Sequence, residues 1–144
     1  MSDCYLVGTI NHVRLTVTDI PRAECYYGPL LGFLGYKLEK KDAKRLAWAA
    51  LDGFGGWRKF ILSAANLDST NKTYDRYSPG LHHLGFNVAR REQVDEFYKL
   101  LQRTGAQVLD PPAEYDYQPS YYAVYFADPD GIKLEVVHIP FFVS

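Results

Sequence analysis

The chain carries one structural pattern twice. An apolar, alternating run, Ile10-Asn11-His12-Val13-Arg14-Leu15-Thr16-Val17, leads into a segment of helical spacing and three further strand-like runs. From Leu81 the same order returns, beginning Leu81-His82-His83-Leu84-Gly85-Phe86-Asn87-Val88. His12 and His83 stand near the heads of the two runs, separated by almost half of the 144 residues. A repeated strand-helix-strand-strand-strand order constrains the fold more tightly than any single motif, because one copy alone leaves a sheet face uncovered. The expected fold class is α+β: two βαβββ modules in tandem, residues 1–64 and 80–144, joined by the polar segment 65–79 into one compact domain.

Local rules place the elements. In the first run Val13, Leu15 and Val17 share one face and His12, Arg14 and Thr16 the other. Thr18 or Asp19 is expected to cap a helix starting near Ile20, with Pro21 in its first turn, that runs out around Gly28-Pro29. Leu30 to Phe33 then read as a turn, and strands follow over 36–40, 46–51 and 57–62. In the second copy the strand is expected over 81–88, with His82 and His83 on opposite faces. A helix follows over Arg91–Thr104, with Val94, Phe97, Tyr98, Leu100 and Leu101 at helical spacing and Gly105 ending it. Strands at 106–109, 121–126 and 132–138 complete the copy, with a loop at 110–119. The turn Asp52-Gly53-Phe54-Gly55-Gly56 answers Asp128-Pro129-Asp130-Gly131, whose carboxylates read as turn chemistry.

Composition excludes several classes. A net charge of −1 and a pI near 6.4 lack the basic surplus that nucleic acid or anionic lipid requires. No apolar stretch approaches the ~20 residues that span a bilayer, and since Met1-Ser2-Asp3-Cys4 offers no basic segment before an apolar one, no secretory signal is expected. Cys4 and Cys25 are expected as reduced thiols, and the protein as cytoplasmic.

The candidate site residues follow from the repeat. His12 and His83 occupy matching positions, and Glu135 lies in the last apolar run, Ile132-Lys133-Leu134-Glu135-Val136-Val137. A carboxylate between Leu134 and Val136 demands a compensating cation, since burying it alone costs several kcal/mol. Two imidazoles and a carboxylate form the set that holds a divalent metal and leaves positions open. Nitrogen and oxygen donors without sulfur suit Fe, Mn, Ni, Co or Zn, one ion per site. Arg14, on the face of His12, is the alternative ion-pair partner for Glu135, or an anchor for an anionic substrate group. Tyr125, on the strand neighbouring Glu135, is a candidate acid or hydrogen-bond donor, and Asn87 a candidate substrate contact.

With Gly80-Leu81-His82-His83-Leu84-Gly85-Phe86 and Phe126-Ala127-Asp128-Pro129-Asp130-Gly131-Ile132-Lys133-Leu134-Glu135 in view, the chain resembles the vicinal oxygen chelate superfamily over roughly residues 8–139. That group includes glyoxalase I, fosfomycin- and bleomycin-resistance proteins and extradiol dioxygenases. The resemblance implies paired βαβββ modules whose mixed sheets curl around a metal held at His12, His83 and Glu135. It also implies a metal-dependent lyase, isomerase, thiol transferase or dioxygenase acting on a small oxygen-rich substrate, or else a non-catalytic module that sequesters a small molecule. The fourth ligand of glyoxalase I has no counterpart between Asp52 and Asp68, where neither carboxylate nor histidine occurs. A homodimer is expected, with ligands from both chains at each site.

Overall fold

Each half of the chain builds a four-stranded mixed sheet with one helix. The structure is a computed structural model and describes residues 8–53, 55–66, 68 and 72–140. The chain divides into two compact units, residues 1–70 and 71–144. The first comprises β1 (His12–Val17), α1 (Ile20–Phe33), β2 (Lys37–Lys41), β3 (Arg45–Leu51) and β4 (Trp57–Ala64). The second repeats the order as β5 (Leu84–Asn87), α2 (Arg91–Thr104), β6 (Gln107–Tyr115), β7 (Tyr121–Ala127) and β8 (Lys133–His138). Strand order is β1-β4-β3-β2 in one sheet and β5-β8-β7-β6 in the other, with only the β1–β4 and β5–β8 pairs parallel.

In both units alternate strand residues pack under the helix. Leu15, Val17, Leu46, Trp48, Phe60 and Leu62 are buried in the first, where Tyr27 of α1 meets the Phe60 ring at 5.3 Å. Val94, Phe97 and Leu101 of α2 are fully buried in the second, with Phe97 against Phe126 at 5.2 Å. Val13 of β1 and the apolar residues Leu84, Phe86 and Val88 of the second unit are only half-buried. Gly105 ends α2 at φ 72°, a left-handed conformation that suits glycine.

The two turns before the last strands match bond for bond. Asp52 Oδ1 accepts the Gly56 N–H at 2.8 Å, and Asp128 Oδ1 accepts the Ile132 N–H at 2.8 Å. Gly55 and Gly131 take φ values of 83° and 85°, which side-chain-bearing residues rarely adopt. Asp128 is buried and serves the turn, as its sequence context predicts.

Three boundaries differ from expectation. α1 is capped by Asp19 but continues through Pro29 to Phe33. An interior proline costs about 3 kcal/mol, whereas burying Leu30 and Leu31 beyond it contributes roughly 3–6 kcal/mol. Burial therefore outweighs the lost hydrogen bond. β6 extends through Pro111 and Pro112 to Tyr115 instead of giving way to a loop at Asp110, with register shifts between Val108 and Ala113. It is an edge strand, where a missing N–H faces solvent. β5 begins at Leu84, so His82 and His83 precede the strand, and alternation does not separate them.

Cys25 is a free, exposed thiol on α1, and Cys4 lies outside the described residues. Among the described residues no helix is long and apolar enough to cross a membrane.

Candidate functional site

The register of the second sheet assembles the site. β5 pairs with β8 so that Gly85 lies beside Glu135, and β7 pairs with β8 so that Tyr125 lies beside Glu135 on the other flank. Gly85 lies directly against the carboxylate, where a Cβ would make ordinary van der Waals contact at 3.6 Å from Glu135 Oε2. Glu135 is 2% exposed, so its charge needs partners. Tyr121 donates its hydroxyl hydrogen bond to Oε1. His83, at the mouth of β5, brings Nε2 to 3.2 Å from Oε2.

Tyr125 donates in turn to Tyr121. Loss of hydration and the bond to Glu135 push the Tyr121 hydroxyl up to about 12. Burial and the bond to Tyr121 raise Tyr125 still further. Both phenols are therefore neutral donors at physiological pH. Tyr115, stacked on Tyr117 at 5.5 Å, meets Tyr121 and Tyr125 edge to face. Ala123, Tyr125 and Val137 form a small apolar cluster on this face, with Leu109, Tyr115, Tyr121 and Ile139 packed against it.

On its far side the His83 ring presents Nδ1 to His82 Nδ1 at 2.7 Å, so one of these nitrogens carries the hydrogen and the other accepts. The expectation that His82 faces away from His83 is corrected here, because neither residue is in the strand. Partial loss of hydration, then the positive fields of His83, Lys133 and Arg76, pull the His82 pKa down.

In the first unit His12 opens β1, exposed, with Nδ1 at 2.9 Å from Asn11 Oδ1. This contact engages Nδ1 and leaves the Nε2 edge of the ring outside it. Arg14 donates from Nε to Ser63 Oγ at 2.7 Å. Asn87 ends β5, exposed, two residues beyond Gly85. The first unit also has two surface hollows of about 770 and 670 Å³. One is lined by Thr18, Asp19, Lys44 and Asp68, the other by Cys25, Pro29, Tyr36 and Trp48; neither includes a histidine.

The donor set fits a divalent cation. Two metal–ligand bonds of about 2.1 Å meeting at 90–110° hold their donor atoms about 3.0–3.4 Å apart, and the 3.2 Å between His83 Nε2 and Glu135 Oε2 falls within that span. Among the described residues no three His, Cys, Asp or Glu side chains form a ready-made metal-holding group; the second unit brings two together, and His12 belongs to the first. The residue that sequence reasoning missed is Tyr121. Its signal was its place four positions before Tyr125, on the same strand face.

This fold and donor set define a class of tandem βαβββ proteins with a metal-compatible site. Residues 9–136 match the family described as the Glyoxalase/Bleomycin resistance protein/Dioxygenase superfamily, and the chain belongs to it. The uncharacterized protein YqjT of Bacillus subtilis (strain 168) is 32% identical over 132 residues, 89% of this chain and 97% of that protein. A crystal structure from Bacillus halodurans, itself only provisionally termed a glyoxalase, superposes with a TM-score of 0.80 at 27% identity, covering 95% of this chain and all of that one. The fosfomycin resistance protein FosX of Listeria monocytogenes shares the fold with a TM-score of 0.66 at 18% identity, over 94% of this chain and 96% of its own.

Proposed function

We propose that the chain is a divalent-metal-dependent enzyme acting on a small oxygen-rich substrate, with His12, His83 and Glu135 as the protein ligands. The observation that carries this reading is the buried Glu135 carboxylate, whose Oε2 and the neighbouring His83 Nε2 are spaced as two ligands of one ion. When bound, the ion supplies Lewis acidity and a template for two adjacent substrate oxygens. Fe, Mn, Ni, Co and Zn all suit these donors.

The protein's own groups hold that arrangement. Tyr121 fixes Oε1 and so aims Oε2 toward His83, as outer partners of metal ligands commonly do. Tyr125 fixes Tyr121, and it serves as the candidate hydrogen-bond donor or acid toward a substrate oxygen only by giving up that bond. Arg14 spends Nε on Ser63, which leaves its terminal nitrogens for an anionic substrate group or developing oxyanion. Asn87 adds an amide on the Glu135 face. The same reading takes the functional unit as a homodimer sharing ligands between chains, and a solution mass near one 16.5 kDa chain would contradict that part.

Metal titration into chelator-treated protein is the test. Glu135→Gln is expected to weaken binding at least about a hundredfold, and His82→Ala, which removes only an outer partner, about tenfold. Wild-type protein that takes up none of the five metals would overturn the reading. The packed tyrosines 115, 117, 121 and 125 favour a second reading, sequestration of an aromatic small molecule without turnover; metal uptake with turnover of hemithioacetals, epoxides or catechols excludes it.

A further inference from the structure

Lys133 and Glu135 stand two residues apart on β8, so both side chains leave the same sheet face. Their Cα atoms are therefore about 6.7 Å apart, a gap that a lysine's four-carbon stem can close. An ammonium and a buried carboxylate so placed can pair, yet no ion pair joins them. The carboxylate is held instead by the Tyr121 hydroxyl and by His83 Nε2. Lys133 Nζ lies 4.5 Å from the centroid of the Tyr125 ring, and among the described residues it forms no ion pair at all.

The ring beneath that ammonium belongs to the candidate site. Tyr125 is buried, pairs with Glu135 across β7 and β8, and meets the His83 ring edge to face at 5.9 Å. The positive field of Lys133 also reaches His82, whose Nδ1 is 2.7 Å from that of His83. Lys133 thus borders the two atoms, His83 Nε2 and Glu135 Oε2, that are spaced as ligands of one ion. Ligating imidazoles are neutral, so a divalent ion beside Glu135 leaves one positive charge over, and Lys133 raises that excess to two. A neutral ligand would leave the excess unmatched, whereas an anion offsets it. Packing on a tyrosine accounts for where the lysine rests. It does not account for a cation added to a site already short of negative charge.

We propose that Lys133 is a specificity-determining residue of this site, selecting substrates that carry a second carboxylate beyond the two oxygens that chelate the metal. Dicarboxylic α-hydroxy acids fit that description, and neutral diols or simple carbonyl compounds do not. The substrate's role rests on the metal-enzyme reading, which this assignment deepens. The ammonium gives the second carboxylate a charge-assisted hydrogen bond, and the Tyr125 ring keeps the cation partly dehydrated until that group arrives.

The test compares glycolate with hydroxymalonate, which share one α-hydroxycarboxylate chelate and differ by a second carboxylate. Each is titrated calorimetrically, at constant ionic strength, into the full chain loaded with the tightest-bound of the five metals. Wild type should prefer hydroxymalonate by at least about tenfold. Lys133→Gln should weaken hydroxymalonate about tenfold and glycolate less than about threefold, whereas Lys133→Arg should keep the preference to within about threefold. A lysine with a structural role only would move both probes alike or neither, and either result overturns the proposal. Lys133→Met, which keeps the apolar stem, takes the place of the glutamine variant if that one does not fold. Arg103→Gln, at the exposed end of α2, should leave both affinities unchanged; a loss there as large as at Lys133 would reduce the effect to net charge and overturn the proposal. Metal uptake, measured separately, distinguishes the two readings. If the chain takes up none of the five metals, the metal-enzyme reading falls, and the same titrations into metal-free protein decide Lys133. A preference for hydroxymalonate that depends on Lys133 then sustains the anion contact, and its absence overturns it.

Discussion

Counting two residues on from each histidine leads to Arg14 in the first unit and Gly85 in the second. Arg14 pairs across to Ile61, and Gly85 to Glu135. One strand further, Ile61 pairs with Ala47 and Glu135 with Tyr125. The helix-facing residues of both sheets remain alike, with Phe60 and Leu62 of β4 answered by Leu134 and Val136 of β8. The duplicated backbone thus keeps its packing rules on one face while the other face diverges. Carboxylate and phenols gather on this face of the second unit, where the first carries Ile61 and Ala47 at the matching register. A repeat needs both copies of its core but only one copy of its chemistry.

The contrast breaks most visibly at Ile61. Ile61→Glu should destabilise the chain by about 1–3 kcal/mol at neutral pH, because no phenol donates to it as Tyr121 does to Glu135, and the neighbouring Arg14 offsets only part of the lost hydration. Denaturant unfolding measures this, and a loss below about 1 kcal/mol would show that the first sheet tolerates a carboxylate as the second does. An effect no larger is expected at Tyr121. Tyr121→Phe leaves Glu135 Oε1 without its donor, costing about 1–3 kcal/mol of stability and about tenfold in metal affinity. Unchanged stability together with unchanged metal affinity would mean that Tyr121 does not position the carboxylate.

The smallest effect lies on the opposite face, where Tyr122 donates to Asp95 of α2 at 2.6 Å and lies under Arg91. That bond, followed by loss of hydration, raises the Tyr122 pKa above its ordinary value near 10. A raised phenol stabilises the fold fully below the unfolded value and loses that contribution as pH climbs through the folded one. Tyr122→Phe should therefore cost on the order of 0.5–1 kcal/mol through neutral pH, with the gap to wild type closing only above pH about 10. A gap that closed on acidification below neutrality would point to Asp95 as the controlling group instead.

What the sequence made legible was local. The Asp19 cap, the Gly105 stop, the Asp128 turn and the alternation in β1 each depend on a few neighbouring residues, and each appears where its rule puts it. The differences arise where distant packing decides. Pro29 was read as a stop because its cost is local, whereas the burial of Leu30 and Leu31 that offsets it is tertiary. Pro111 and Pro112 read as loop until the strand order makes β6 an edge. His82 and His83 read as opposed until β5 is found to begin one residue after them. Tyr121 could be placed on the face of Tyr125 from its spacing, but its bond to Glu135 depends on the pairing of β7 with β8, which no local pattern encodes. His12, Arg14 and Asn87 remain assigned by pattern and chemistry, and the metal titration bears on the ligand set that includes His12.

The outer edges of the two sheets have one further consequence. β2 reads Lys-Leu-Glu-Lys-Lys with every residue exposed, and β6 offers two consecutive prolines with no N–H to give. Lysines resist the approach of a foreign strand by charge, and prolines by withholding donors. β1 and β5, the other edge of each sheet, carry neither lysine nor proline. Any assembly that grows by adding strands is thus discouraged at one border of each unit and unopposed at the other. The charge and proline devices that guard β2 and β6 are missing from the β1 and β5 borders.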